Sequence, residues 1–217
     1  MMFLRAARLA AFAATLLFVP VLVAQPQPQP KAPAEAAPPS GQPPMDYGQL
    51  TEYVKDQFGA SFKPQPVQPK GTGGQPLRGA SPIVLLVGDL DGDGEEDAVI
   101  VAKSISPLAD EQPFEYKVID PYDAFFGYGN PKFTVQFANS DKENQRLLLI
   151  VHSWRAAKPK AKFVVINLPF DNLSMQRGTL KKKSRSFLTA TEVGIMQSTL
   201  FWDGKKYRYA PGTGEEE

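Results

Sequence analysis

The chain has 217 residues, a formal net charge of +1 and no cysteine. Without cysteine it cannot form disulfides, iron–sulfur clusters, thiolate zinc sites or a cysteine nucleophile. Its near-neutral charge gives no whole-protein argument for nucleic-acid binding, and its length is that of one ordinary domain.

The N-terminal residues 1–24 have the pattern of a secretory signal peptide. Arg5 and Arg8 form the positive region, residues 9–23 are apolar, and Ala24 is a small residue suited to cleavage. The apolar stretch is short for a membrane span of about 20 residues. We therefore predict a secreted or periplasmic protein, which would be held at a membrane only if the signal is uncleaved.

Composition divides the rest of the chain into three segments. Residues 25–45 are rich in Pro, Gln and Ala, which predicts a disordered linker. Residues 46–212 carry the apolar runs and should form a single globular β-rich domain. Residues 213–217 are predicted to be a frayed acidic tail.

One helix is expected at the start of the domain. Asp46 can cap it together with Gln49, and Gly59 suits its C-terminal end. Apolar side chains repeat at helical spacing at Tyr47, Leu50, Val54 and Phe58. This stripe predicts that the helix packs against a sheet.

The remainder of the domain has the pattern of short strands and turns. Apolar or alternating runs predict strands at 83–87, 98–102, 114–118, 133–137, 147–154, 163–168, 194–202 and 205–209. The first two runs are apolar on both faces, which favours central positions. Asp203-Gly204 is typical of a two-residue hairpin turn, and the Pro- and Gly-rich segment 60–81 predicts a loop. Segment 169–186 is compatible with a loop or with a short helix near 172–177.

Because helices do not alternate with strands, a parallel α/β sheet is disfavoured. We predict a mainly β (α+β) fold with antiparallel sheets and one N-terminal helix packed on them.

The strongest functional signal is an acidic loop between the two runs predicted to be central. Six carboxylates fall within nine residues, at Asp89, Asp91, Asp93, Glu95, Glu96 and Asp97. A compact loop would force these like charges together, and a calcium ion with six to eight oxygen ligands would relieve the repulsion. The spacing D-x-D-x-D-G, ending at Gly94, matches the start of a calcium loop, with Glu95 ligating through its backbone carbonyl.

Position 12 of this loop is Ile100, where an EF-hand has a bidentate Glu. The loop instead resembles the FG-GAP-type calcium loop of integrin α-subunits and related bacterial repeats, over residues 83–102 and in a single copy. The resemblance implies a loop between two antiparallel strands that binds Ca²⁺. The metal-ligating residues predicted in this way are Asp89, Asp91, Asp93, Glu95 and Asp97. A solvated acidic turn without a metal is the alternative.

Catalytic patterns are weak. His152, the single histidine, lies inside an apolar run, where a buried histidine with a satisfied hydrogen bond is the simplest interpretation. No serine has the context of a nucleophile elbow. Carboxylates that could form a hydrolytic pair, such as Asp120, Asp123 and Asp141, occupy turn-like sequence where Asp is favoured for backbone reasons.

Basic residues cluster at 158–162 and 181–185. Solvated turns explain such clusters, and contact with a protein or an anionic surface polymer is the other interpretation. Nucleic acid is not expected, because secretion and a near-neutral charge count against it.

We therefore predict a calcium-binding domain that acts as a binding or structural module, with calcium bracing a strand–loop–strand hairpin in the centre of the fold. A secreted hydrolase with a structural calcium ion and an anchored envelope or adhesion component are the alternatives.

Overall fold

A computed structural model of the chain describes residues 45–71, 73–121, 146–192 and 196–212. The predicted signal peptide, residues 25–44 of the predicted linker, the predicted acidic tail and the predicted strand at 133–137 lie outside the described residues. Those residues contain one helix, α1 (Tyr47–Phe58), and ten strands. The strands are β1 (Phe62–Pro64), β2 (Leu85–Gly88), β3 (Asp97–Ser104), β4 (Lys117–Ile119), β5 (Arg146–His152), β6 (Ala161–Val165), β7 (Asn172–Leu180), β8 (Lys183–Glu192), β9 (Met196–Trp202) and β10 (Tyr207–Pro211).

The strands form two sheets, which confirms the predicted mainly β fold. The first has six strands in the order β1-β3-β5-β6-β4, with β2 also paired to β3. The second has four strands in the order β10-β9-β8-β7. The described pairings are antiparallel except that of β4 with β6, which is parallel.

Apolar side chains cover both faces of the first sheet. Because side chains alternate along a strand, Val99 of β3 and Ile150 of β5 pack toward the second sheet. Their neighbours Ile100 and Leu149 pack on the opposite face with α1. Strands β3 and β5 are therefore central and buried on both faces, and the central position of β3 confirms the prediction from the apolar run 98–102.

Helix α1 has the predicted ends. Asp46 accepts a hydrogen bond from the backbone N–H of Gln49 at 2.8 Å, and the Gln49 side chain accepts from the backbone N–H of Asp46 at 3.0 Å. Leu50, Val54 and Phe58 are buried on the sheet. Tyr47 is 52% exposed, so its prediction as part of the buried stripe was wrong. No helix of the described residues is long and apolar enough to cross a membrane.

Strand β2 does not have the predicted central position. It is partly buried along its whole length and pairs with the first half of β3. Strand β1 pairs with the second half of β3 on the same side. A continuous apolar run shows that a strand is partly covered, but it does not show how many neighbours the strand has. Strand β1 itself lies within segment 60–81, which was predicted to be a loop.

Within segment 169–186, residues 172–186 form a hairpin and not a helix or a loop. Strands β7 and β8 pair as far as Leu180 and Lys183, and the turn residues Lys181 and Lys182 have φ of 52° and 66°. Two residues of positive φ are typical of a type I′ hairpin, where Asn and Gly are favoured. Because neither residue type is present at these two positions, the turn could not be predicted from the sequence.

The β9–β10 connection is longer than the predicted two-residue turn. Trp202 pairs with Tyr207, so four residues separate the strands. The Asp203 carboxylate accepts the backbone N–H of Lys205 at 2.8 Å and of Lys206 at 3.0 Å. This is the local bonding for which Asp is favoured in turns.

Candidate metal centre

The acidic loop, residues 89–97, joins β2 to β3 in an antiparallel hairpin. Leu90, inside the loop, has no exposed surface and belongs to the core between the sheets. Gly92 and Gly94 have φ of 76° and 90°, a left-handed conformation that favours glycine. The loop is thus fixed by pairing at its ends and by a buried side chain near its start.

Three of the five predicted ligands come together in what we call the aspartate cluster. One carboxylate oxygen from each of Asp89, Asp91 and Asp97 lies within 4.8 Å of the others. Calcium–oxygen distances are about 2.3–2.6 Å, so two ligands of one ion lie at most about 5 Å apart. The three oxygens therefore satisfy the distance limit for one shared calcium ion.

Backbone amides orient the first of these carboxylates. Asp89 accepts hydrogen bonds from the backbone N–H of Gly92 at 2.7 Å, of Asp93 at 3.2 Å and of Gly94 at 3.0 Å. Asp91 accepts a further bond from the N–H of Asp93 at 3.1 Å. Short-range bonds of this kind hold the loop in a tight curve around its own carboxylates.

Asp97 connects the loop to the central strand β5. One of its oxygens accepts the backbone N–H of Leu90 at 2.7 Å and that of Asp91 at 3.3 Å. The other accepts the N–H of Ser153, immediately after β5, at 2.8 Å. The Asp97 side chain is fully buried, so these bonds are made away from water.

Burial disfavours the ionised form of two carboxylates of the cluster, Asp97 and Asp91. Burial raises the pKa of Asp97 to about 7, although hydrogen bonds from Ser153 and Leu90 act in the opposite direction. Burial, together with the charges of Asp93 and Asp89, also raises the pKa of Asp91. A divalent cation would favour the ionised form of both groups.

The side chains of Asp93 and Glu95 lie outside the cluster and meet Lys160. The Lys160 ammonium contacts the carboxylate of Asp93 and lies 3.3 Å from that of Glu95. Burial alone would raise the pKa of Asp93, but the hydrogen bond from Lys160, the hydrogen bond from the backbone N–H of Glu95 and the charge of Lys160 together lower it. The backbone carbonyl through which Glu95 is predicted to ligate takes no part in this contact.

His152 lies beside the cluster and is hydrogen-bonded, as the sequence suggested. Its Nε2 is 2.6 Å from the hydroxyl of Tyr207, and its Nδ1 is 3.4 Å from Asp91 Oδ2. Burial lowers the pKa of His152 to about 4 and raises that of Tyr207. A neutral imidazole with its proton on Nδ1 fits both contacts: Nε2 accepts the hydrogen bond of the Tyr207 hydroxyl, and the Nδ1–H points to the Asp91 carboxylate. The contact with Tyr207 could not be predicted from the sequence, because Tyr207 lies 55 residues after His152 in the chain.

The described residues give a hydrolytic site little support. His152 is only 2% exposed. An open pocket of about 350 Å³ lies on the outer face of the second sheet, and its lining includes neither His152 nor the cluster. Asp120 is buried and bonded to Asn167 at 2.5 Å, while Asp123 and Asp141 lie outside the described residues.

The fold and this loop define a two-sheet β-domain with an acidic strand-to-strand hairpin. Comparisons of the chain with models of protein families, with curated proteins and with solved structures found no match. The resemblance of the loop to FG-GAP repeats therefore stays a prediction from its own residues.

Proposed function

We propose that this protein is a secreted or periplasmic calcium-binding domain of FG-GAP-like type that acts as a binding or structural module. The observation that carries the proposal is the approach of three carboxylate oxygens, from Asp89, Asp91 and Asp97, to within 4.8 Å of one another. The D-x-D-x-D-G spacing in the same loop supports calcium as the ion. The pattern of residues 1–24 supports export.

In this proposal calcium braces the β2–β3 hairpin against the central strand β5. The carboxylates of the cluster hold the ion, and Asp93 and the Glu95 carbonyl supply further oxygens. Because Asp97 also accepts the N–H of Ser153 after β5, an ion bound to Asp97 stiffens a contact between two neighbouring strands. Extracellular modules hold calcium at about 10⁻⁴–10⁻³ M. Calcium at the dissociation constant then adds about 0.4 kcal/mol of stability, and a hundredfold excess adds about 2.7 kcal/mol.

Calcium titration of the full chain by calorimetry tests the proposal. We expect the wild type to bind calcium with a Kd of about 10⁻⁴–10⁻³ M. The double variant Asp89→Asn, Asp91→Asn should show no measurable binding, because two negative charges are lost while amide oxygens still accept the backbone hydrogen bonds. Asp203→Asn is the matched control, because Asp203 also accepts backbone hydrogen bonds in a turn. Since Asp203 lies outside the acidic loop, this variant should bind calcium with the affinity of the wild type.

Heats that are the same in the wild type and the double variant would contradict the proposal, as would no heat in the wild type at millimolar calcium. A parallel magnesium titration tests the identity of the ion, because Mg²⁺ requires near-octahedral ligands at about 2.0–2.1 Å. Tighter binding of magnesium than of calcium would show that the assigned ion is wrong.

Lys160 is expected to compete with calcium for Asp93, because its ammonium already contacts that carboxylate. Lys160→Gln should therefore tighten calcium binding by several-fold in the same calorimetric titration, which is the scale of an exposed ion pair. Lys158→Gln removes an exposed charge from the same turn and should leave the affinity unchanged. If Lys160→Gln weakens binding instead, Lys160 orders the loop for the ion and does not compete with it.

A further inference from the structure

The two hairpin ends of the second sheet lie side by side. Lys181, in the turn between β7 and β8, donates a hydrogen bond from its ammonium to the backbone carbonyl of Asp203 at 3.0 Å. Asp203 begins the connection between β9 and β10. The residues of both connections therefore form one continuous surface.

This surface is strongly positive, and we call it the basic end. Its exposed basic residues are Lys181, Lys182, Lys183, Lys205, Lys206 and Arg208. Asp203 lies among them, but its carboxylate is bound to Arg208 at 2.6 Å and to two backbone N–H groups. The five lysines form a dense group of exposed positive charges.

An apolar groove opens beside the basic end on the outer face of the sheet. It has a volume of about 350 Å³, and its lining includes Leu180, Phe187 and Phe201. The two phenylalanine rings meet edge to face, with centroids 6.1 Å apart. In the register of the strands Phe201 is paired with Arg208 and Leu180 with Lys183. Because paired residues share a face, apolar and basic side chains adjoin there directly.

The acidic loop borders this region. Gly92 packs against the side chain of Arg185, and the backbone N–H of Ser186 donates to the carbonyl of Asp89 at 2.5 Å. Arg185 is buried, and its guanidinium donates a hydrogen bond to the backbone carbonyl of Trp202 at 2.5 Å. The loop carboxylates place negative charge near the basic end, and bound calcium would neutralise part of it. The residues of the basic end do not include any calcium ligand.

We propose that the basic end and the adjoining groove form a docking surface for an anionic phospholipid bilayer. Each lysine near such a surface is worth about a fivefold gain in binding. The phenylalanines and Leu180 would rest in the interfacial layer, where apolar side chains of peripheral proteins insert. A dissolved polyanion would satisfy the lysines but leave the apolar groove in water. The combination of apolar and basic side chains therefore favours a lipid surface.

Flotation with lipid vesicles tests this proposal on the full chain, with chelator present so that calcium plays no part. Vesicles of phosphatidylglycerol and phosphatidylcholine in equal parts are compared with phosphatidylcholine alone. Binding that residues 1–24 contribute, including attraction of Arg5 and Arg8 to anionic lipid, is the same in all variants and cancels when variants are compared. We expect the wild type to prefer the anionic vesicles.

The triple variant Lys182→Gln, Lys183→Gln, Lys205→Gln should lower the partition coefficient for anionic vesicles roughly a hundredfold. The matched control Lys63→Gln, Lys103→Gln, Lys117→Gln removes the same charge from exposed lysines of the first sheet and should bind as the wild type. Phe201→Thr should weaken binding several-fold through the groove. Circular dichroism and thermal melts establish that each variant is folded.

Equal binding by the two triple variants would overturn the proposal, as would a wild type with no preference for anionic vesicles. A dissolved polyphosphate is the competing probe. If it binds the wild type but not the basic-end variant, while Phe201→Thr binds vesicles normally, the surface recognises a polyanion and the lipid assignment is wrong.

Discussion

Replacement of Asp97 by alanine is expected to lower the free energy of unfolding by about 2–4 kcal/mol. The buried carboxylate accepts the backbone N–H groups of Leu90, Asp91 and Ser153, and each buried donor left without a partner costs about 1–3 kcal/mol. Removal of a charge whose pKa is raised by burial offsets part of that loss. Urea unfolding of the variant and the wild type, with chelator present, measures the difference.

Asp46→Ala is the matched control for this prediction. Asp46 also accepts a backbone N–H, that of Gln49, but does so at an exposed helix cap, where the loss is about 1 kcal/mol. If Asp97→Ala costs no more than Asp46→Ala, the Asp97 carboxylate does not hold the loop. Repeating the unfolding in a hundredfold excess of calcium should add about 2.7 kcal/mol to the wild type and nothing to Asp97→Ala.

Leu90→Ala is expected to cost about 2–5 kcal/mol, the range for truncation of a fully buried leucine. Leu90 has no exposed surface and packs in the core between the two sheets. It also lies between two members of the aspartate cluster, Asp89 and Asp91, so a loosened side chain should spread their carboxylates. We therefore expect weaker calcium binding as well, measured by calorimetry beside the urea unfolding.

Leu77→Ala provides the comparison for this prediction. Leu77 is 45% exposed in a loop, and its truncation should change the free energy of unfolding by no more than about 0.5 kcal/mol. A Leu90→Ala variant with the same small loss would show that the core does not position the acidic loop. A large loss of stability with unchanged calcium affinity would separate the two roles assigned to Leu90.

The parts of the fold that were predictable from sequence are those where burial dictates residue type. The stripe Leu50, Val54 and Phe58 identified α1, and the continuous apolar runs identified β3 and β5, because both faces of these strands are covered. The β7–β8 hairpin was missed because Lys181 and Lys182 adopt positive φ without Gly or Asn. The edge position of β2 was missed because apolar content does not specify how many neighbours a strand has.

The same distinction applies to the candidate site. Local spacing was sufficient to bring Asp89, Asp91 and Asp97 together, since all three belong to one hairpin loop. The contact of Lys160 with Asp93 spans 67 residues, and it exists because β5 and β6 pair beside β3. Long-range register of this kind has no signal in a single sequence, so Lys160 and Tyr207 could not be assigned to the surroundings of the site.

The acidic loop is bonded to both sheets. The carbonyl of Asp89 accepts the N–H of Ser186 in β8, while the carboxylate of Asp97 accepts the N–H of Ser153 beyond β5. A protein engineer could not exchange this loop for a short generic turn, because the shortened chain would leave Ser186 and Ser153 without their acceptors. Insertions or deletions between β2 and β3 should consequently be tolerated far less than similar changes in the exposed β9–β10 connection.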